Sequence, residues 1–483
     1  MNRFEWTATS KFLGRAEALS RLDEWWVRSD ALPINLFGRR RVGKSWLFRQ
    51  FAHGKPAVIL VAEQSTPAQQ FARLVDQLEP HLPFRPEINN VADLFFVLYQ
   101  LAANEKVLVV IDEFPYLLGS TPREVRTALS SVQAAIERFR DDSKIKLILC
   151  GSAVAQMESL QAERSPLHGR LQRYELGPLE FPDARAFMPD LMPVDQLTRF
   201  AIAGGMPRYL TAISTGNLAT SIAKEIVDRN SPLFNEPLAL LQSELREPAT
   251  YLGLLAAMAS KPADSAALCA KTGLEAQTLS PYLEKLTTLG LVRRRRPVGA
   301  DPKSRSTQYE CSDGFLRFWF RFVQPFQASL EGGADAHIHV KEHVLGELAD
   351  HTSSEFEHLV QRWARQQYPA AAQVGAWWGP ALNKERRAKS RFSEEIDLVG
   401  LESKNLVVAG EAKWTTKPLG YDVLSQLLDY KLPALVQAGF ALPDRLPIVL
   451  ASRGGFSKQV QAAREADSRI RLVAAADLLQ QVR

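Results

Sequence analysis

At 483 residues the chain is long enough for about three domains, each with an ample core. Its hydrophobic share of 46% and charged share of 23% fit a globular protein, and a formal net charge of +5 leaves any polyanionic partner to local patches. Cys150, Cys269 and Cys311 are scattered without a C-x-x-C, which excludes a disulfide framework or zinc site and fits a reducing cytoplasm. The N-terminal stretch lacks the apolar core of a signal peptide and no apolar run approaches a membrane span, so a cytoplasmic protein with no membrane partner is expected.

In chain order, Phe12-Leu13-Gly14-Arg15-Ala16-Glu17 opens a helical run to Trp26. A short apolar strand then ends in Gly38, followed by Arg39, Arg40, Arg41, Val42 and Gly43-Lys44-Ser45, which is the Walker A pattern G-x-x-x-x-G-K-S. The glycines let backbone N–H groups curl around phosphate oxygens, Lys44 reaches the terminal phosphates of ATP, and Ser45 offers its hydroxyl to Mg²⁺. The helix starting at Lys44 adds its positive end. A strand over 57–63 and helices over about 66–79 and 90–103 come next. The apolar run from Val107 to Ile111 then ends in Asp112-Glu113, the Walker B pattern: Asp112 is placed to hold Mg²⁺ and Glu113 to polarise the attacking water. After a helix over 122–140, the strand Ile145–Cys150 runs into Gly151-Ser152. Ser152 is either a sensor of the γ-phosphate or a simple helix cap.

The segments FGRRRVGKS, VVIDEFPYL, CGSAVAQM, SPLHGR and GGMPRYL, in this order, resemble the archaeal-type AAA+ ATPases, a STAND-related family, over roughly residues 10–230. The resemblance implies that Arg170 is a finger given to a neighbouring subunit's nucleotide, and hence a homo-oligomer, with Arg173 competing for the role. It leaves Arg208 as a lid sensor, although the family's pattern fixes the glycines, proline and tyrosine around it. For both arginines a surface salt bridge is the alternative.

Residues 248–310 read as helix, helix-turn-helix and hairpin, the plan of a winged helix. Its wing carries Arg293, Arg294, Arg295, Arg296, Lys303 and Arg305 against Asp301, a bias suited to DNA phosphates without sequence choice. The alternative is that the winged helix packs against the ATPase or a protein partner. The aromatic run Phe315–Val323 has the spacing of a buried connecting helix, and resembles the uncharacterised C-terminal domain that accompanies these ATPases.

Farther on, Glu395-Ile396-Asp397 leads through Ser403-Lys404-Asn405 into Gly410-Glu411-Ala412-Lys413. If the turn centres on Lys404, Asp397 and Glu411 lie equally far from it and face each other, with Lys413 on the same side. Two carboxylates and an amine at one point suit Mg²⁺ or Mn²⁺ and a water to be oriented or deprotonated. The pattern resembles the PD-(D/E)xK nucleases. That resemblance implies Asp397 and Glu411 as metal ligands, Lys413 as the catalytic lysine and Glu357 as an accessory carboxylate on a helix. Glu395-Ile396 stands where the superfamily has its proline.

The expected fold class is α/β. A P-loop AAA+ core (1–200) is followed by a helical lid (201–247), a winged helix with aromatic connector (248–330) and a PD-(D/E)xK-like domain (331–483). The expected function is ATP hydrolysis coupled to DNA engagement or cleavage. The alternatives are an ATP-controlled switch whose nuclease-like domain is inert and a DNA-binding regulator.

Overall fold

The computed structural model describes residues 12–245, 247–301, 306–381 and 393–482. The chain divides into two compact units, one formed by residues 1–186 and 206–208 and the other by 187–205 and 209–483.

The first unit is built on a parallel sheet of β1 (Ile34–Phe37), β2 (Ala57–Val61), β3 (Leu108–Asp112), β4 (Lys146–Gly151) and β5 (Gln172–Glu175), in the order β2-β3-β4-β1-β5. β1, β3 and β4 are buried almost end to end, as parallel strands covered on both faces must be. Helices Lys44–Ala52, Pro67–Leu78, Val91–Leu101 and Pro122–Phe139 match the expected segments to within about two residues. The last starts at a capping box: Thr121 accepts from the Glu124 amide, and Glu124 reaches back to the Thr121 amide. β5 has no counterpart in the sequence reading. It is an edge strand reading QRYE with only Tyr174 buried, so no apolar run marks it. Pairing of Phe37 with Gly151 and of Val61 with Asp112 aligns the strand ends, so the residues after β1, β3 and β4 meet at one edge.

In the second unit, helices Pro248–Met258, Ser265–Thr272 and Ala276–Thr288 precede the antiparallel pair β6 (Val292–Arg295) and β7 (Gln308–Cys311), which is the winged-helix plan. The helix Gly314–Phe322 is capped by Asp313 and buries Phe315, Phe318 and Trp319, with Trp319 Nε1 donating to the Phe234 carbonyl at 2.7 Å. Each of those rings contributes about 1.5–3 kcal/mol by leaving water. Gly314 lies against Gly204 so closely that a Cβ on either would meet backbone atoms of the other segment within 2.6 Å. Helix Pro193–Ala203 therefore belongs to this unit, and the division falls after Ala186 rather than near residue 200.

The C-terminal sheet has the order β12-β11-β10-β9-β8, from β8 (Gln373–Pro380), β9 (Ser393–Glu402), β10 (Asn405–Lys413), β11 (Ile448–Ser452) and β12 (Ile470–Ala474). β10, β11 and β12 are parallel, while β8 and β9 are antiparallel to their neighbours. One face buries Ile396, Leu401 and Ala409 with Leu424, Leu427 and Leu435. Helix Leu348–Gln367 buries Phe356, Leu359 and Trp363, and Phe356 meets the Trp414 ring at 5.0 Å. Among the described residues no helix is long and apolar enough to cross a membrane.

Candidate functional site

The nucleotide site of the first unit grows from the end of β1. Gly38 sits so close to the neighbouring chain that a Cβ would lie 2.2 Å from the Leu176 carbonyl oxygen, and Gly43 has φ 99°. Only glycine tolerates both. Between them Arg39 is buried, Arg40 and Arg41 are exposed, Val42 is buried, and Arg41 takes a left-handed φ of 68°. Lys44 is 6% exposed and donates to the carbonyls of Gly38 at 2.7 Å and Arg39 at 3.2 Å, which keeps its ammonium over the loop. Ser45 Oγ donates to Asp112 Oδ2 at 3.1 Å, so the two groups expected to hold Mg²⁺ are adjacent. β4 lies between β1 and β3, and this sheet order brings Ser152 to Glu113. Ser152 Oγ donates to Glu113 Oε1 at 2.6 Å. It caps nothing: the helix Val154–Ser159 begins after Ala153 with no side-chain cap.

Arg15, which lies outside both Walker motifs, donates to the carbonyls of Val42 at 3.0 Å and Gly177 at 2.7 Å and so props the P-loop. Its signal was the Gly14-Arg15 pair, whose left-handed φ values of 70° and 65° turn the chain toward the loop. Pro207 lies beside Gly43, and the next residue, Arg208, is exposed. Arg170 pairs in its own chain with Glu137, its Nε donating at 2.8 Å. Arg173 is tied to Glu158 and Glu175.

The carboxylate set of the second unit rests on two irregularities, a bulge in β10 and another in β9. The β9–β10 turn is tighter than a three-residue loop: Glu402 pairs with Asn405, and Ser403 takes φ 58°. Left regular, that turn would set Asp397 opposite Gly410. A bulge between Leu406 and Val408 moves the register by one, so that Leu398 pairs with Gly410, where the paired register ends, with Asp397 the next residue of β9. On its other side β9 bulges against β8, where Gly375 pairs with Val399 and Trp377 with Ile396, leaving Asp397 and Leu398 opposite Ala376. Lys413 Nζ then donates to Asp397 Oδ2 at 2.7 Å and Glu411 Oε2 at 2.8 Å, while the Ala412 amide donates to Asp397 Oδ2 at 2.9 Å.

Glu411 is 1% exposed. Burial and the neighbouring Asp397 push its carboxyl upward, against the pull of Lys413 and Lys431. Burial would lower the Lys413 ammonium, but Asp397 and Glu411 outweigh it and hold it above its ordinary range. Burial and Asp397 raise the Glu357 carboxyl to about 8. The trio of Glu357, Asp397 and Glu411 does not close into a cage, since no group of three potential ligands is formed among the described residues. Two carboxylates still suit Mg²⁺, which keeps waters and takes further oxygens from a phosphate. Lys431 was not foreseen; its Nζ donates to Glu411 Oε1 at 2.6 Å from 18 residues beyond Lys413, a separation that carries no local pattern. Gln426 and Glu394 line the same cavity.

The wing is engaged within its own unit. Arg293 pairs with Glu310, Arg295 turns toward Glu310 and Glu395, Arg294 lies over Tyr309, and Arg296 Nε donates to Thr307 Oγ1 at 3.4 Å. Lys303 and Arg305 lie outside the described residues.

With this geometry established, comparison with known proteins is informative. Residues 12–213 match a family described as an ATPase domain predominantly from Archaea. Over those residues, most of them in the first unit, the chain is similar to that ATPase domain. Residues 319–423 match a family of archaeal and bacterial proteins of unknown function, and that span includes Asp397, Glu411 and Lys413. An uncharacterised protein of Methanocaldococcus jannaschii is 27% identical over 412 residues, 83% of this chain and 87% of its own. The Walker-type ATPase of Pyrococcus abyssi shares the fold at TM-score 0.51 and 20% identity, covering 66% of this chain and 98% of that one. The ORC2 protein of Aeropyrum pernix, solved in ADPNP-ADP complexes, reaches TM-score 0.41 at 14% identity over 69% of this chain and 97% of its own, too distant to add to the argument.

Proposed function

We propose that the archaeal-type ATPase domain hydrolyses Mg-ATP to license a metal-dependent nuclease in the second unit that acts on DNA. The observation that carries the nuclease reading is the convergence of Asp397, Glu411 and Lys413, with both ion-pair distances under 3 Å and Glu411 withdrawn from solvent. A divalent cation held by Asp397 and Glu411 supplies Lewis-acid activation of the phosphodiester and of water. Lys413 orients the attacking water, and Glu357 is the accessory carboxylate on its helix, its carboxyl pushed upward by burial and by Asp397. In the first unit Ser45 and Asp112 hold Mg²⁺, Lys44 binds the terminal phosphates, and Glu113 positions water under the control of Ser152. Arg170 acts on the neighbouring protomer of a homo-oligomer, once released from Glu137.

The test is cleavage of supercoiled and single-stranded DNA with Mg²⁺ or Mn²⁺, with and without ATP. Cutting that disappears in Asp397→Ala and Lys413→Ala supports the nuclease, and its loss in Lys44→Ala supports ATP control. One observation favours the second reading, an ATP-controlled switch with an inert C-terminal domain: Lys413 and Lys431 occupy both oxygens of Glu411. Intact ATPase activity with no cutting under any condition would select it.

A further inference from the structure

A cavity of about 350 Å³ inside the second unit is lined both by the winged-helix segment and by Glu357, Glu395 and Asp397, while Glu411 and Lys413 line a separate one. The winged-helix segment and the aromatic helix after it contribute Lys261, Arg295 and Arg317, while the sheet and its helix contribute Glu357, Glu395 and Asp397. Basic and acidic side chains, Glu310 of the hairpin among the latter, thus share one cavity, a mixed lining that can take a phosphate beside a carboxylate-held metal.

Arg295 differs from its neighbours. Arg317 is paired with Glu355 at 3.0 Å, although among the described residues its buried Nε has no hydrogen-bond partner, and Arg321 is paired with Glu347 and Asp350 at 2.9 and 2.8 Å. Arg295 has only Glu310 Oε2 and Glu395 Oε1, each 3.6 Å away, and among the described residues its guanidinium makes no hydrogen bond. Its side chain is 17% exposed. A planar fork of five donors, largely out of water and paired only with two carboxylates beyond close hydrogen-bond reach, has capacity left for an oxyanion. It is also held in place. The guanidinium stacks over Trp378 at 5.2 Å, and the wing is fixed to β8 by Val298 N donating to the Ala376 carbonyl at 3.0 Å and Gly299 N to Gln373 Oε1 at 3.2 Å. That anchor falls on Ala376, the residue opposite the bulge at Asp397.

We propose that Arg295 is the phosphodiester-binding residue of this cavity. It grips the non-bridging oxygens of a nucleic-acid strand laid between the wing and β9, so that the hydrolytic centre draws on the winged helix as well as the sheet. The proposal rests on the nuclease reading for its chemistry but not for its test.

The full chain is titrated against a fluorescein-labelled single-stranded oligonucleotide in EDTA, with anisotropy as the readout. Arg295→Gln should weaken binding at least tenfold, and the double substitution Arg294→Gln/Arg296→Gln should cost less although it removes more charge. Arg445→Gln, an exposed arginine elsewhere in the unit, should match the wild type. Equal losses for Arg295→Gln and the Arg294/Arg296 pair would show a diffuse basic wing and overturn the proposal, as would unchanged binding by Arg295→Gln. Should Arg295→Gln melt early, phenylglyoxal labelling of the wild type decides: the oligonucleotide must protect Arg295, and unchanged labelling overturns the assignment. Absence of cleavage with Arg295-dependent binding intact would sink the nuclease reading alone. Cleavage with Arg295→Gln binding like the wild type would sink this proposal alone.

Discussion

Ser152 clasps Glu113 at both carboxylate oxygens: its hydroxyl donates to Oε1 at 2.6 Å and its backbone amide to Oε2 at 3.2 Å. Glu113 itself takes a left-handed φ of 53°, which turns its side chain along the sheet edge toward β4. The carboxylate proposed to act on water thus has its direction set by the neighbouring strand. Glu113→Gln is expected to lower ATP turnover by about 10²–10⁴-fold while nucleotide still binds. Ser152→Ala, which keeps the amide but loses the hydroxyl, should cost roughly 10- to 100-fold in kcat with Kd for ATP unchanged. Steady-state turnover beside equilibrium binding of a fluorescent ATP analogue separates the two effects, and a Ser152→Ala enzyme with wild-type kcat would refute the clasp's role.

Arg170 in trans makes a mixing prediction. Lys44→Ala protomers lack a working nucleotide site but keep Arg170, and Arg170→Ala protomers have the converse defect. Each alone should be slower by about 10³-fold or more. Mixed together they should regain a measurable fraction of ATPase activity. If mixing restores nothing, Arg170 is only the partner of Glu137 that it is within its own chain.

Lys431 competes with any cation for Glu411, since its Nζ already sits 2.6 Å from Oε1 with only 14% of its side chain exposed. Lys431→Met should therefore tighten Mn²⁺ binding, by about tenfold if the competition amounts to roughly 1.4 kcal/mol. Titration of free Mn²⁺ by electron paramagnetic resonance measures this directly. Asp397→Asn should abolish the same binding phase. An Mn²⁺ affinity indifferent to both substitutions would remove Glu411 and Asp397 as ligands.

His351 ties two helices of the second unit together. It is 2% exposed, its Nε2 lies 3.0 Å from the Ala201 carbonyl, and it packs edge-on to Phe318 and Phe322. Burial, then the charge of Arg317, hold its ring well below the ordinary 6.5. The folded state thus keeps the ring neutral while the unfolded chain takes up a proton below pH 6.5. The contribution is whole above that value and is lost as pH falls, by about 1.4 kcal/mol for each unit. Against its own burial, Glu355 is held well below the usual carboxylate range by His358 and Arg317, so it stays ionised through this window. Urea unfolding of wild type and His351→Gln between pH 7.5 and 5.5 should converge as the pH drops. Parallel curves would show that another group sets the acid limit.

Much of this was readable because the chemistry is written locally. Gly38 to Ser45 and Val107 to Glu113 specify their strands, their turn and their ligands within a few residues, and four strands of the first sheet follow from apolar runs. β5 escaped because an edge strand needs one buried residue rather than a run. The sequence places Asp397 opposite Glu411 from a turn centred on Lys404. The structure has a shorter turn and a bulge, which no pattern in LVVAG announces, its paired register ends at Leu398 with Gly410, and it is Lys413 that bonds both carboxylates. Arg15, Lys431 and the inward turn of Arg295 depend on contacts between distant segments, and a single sequence carries no periodic trace of those.

The hydrogen bond from Val298 to Ala376 has a consequence for how the chain can be divided. β8 is the outermost strand of its sheet, and an outermost strand offers bare backbone groups to any other strand that meets it. The hairpin loop of the winged helix shields part of that border: Val298 occupies the Ala376 carbonyl, and a side chain at Gly299 would collide with Phe440. A fragment beginning at residue 331 would keep every carboxylate of the proposed nuclease and lose its shield. Such a fragment should stick to its own copies, and the winged helix is better regarded as the C-terminal sheet's built-in chaperone than as a detachable reader of DNA.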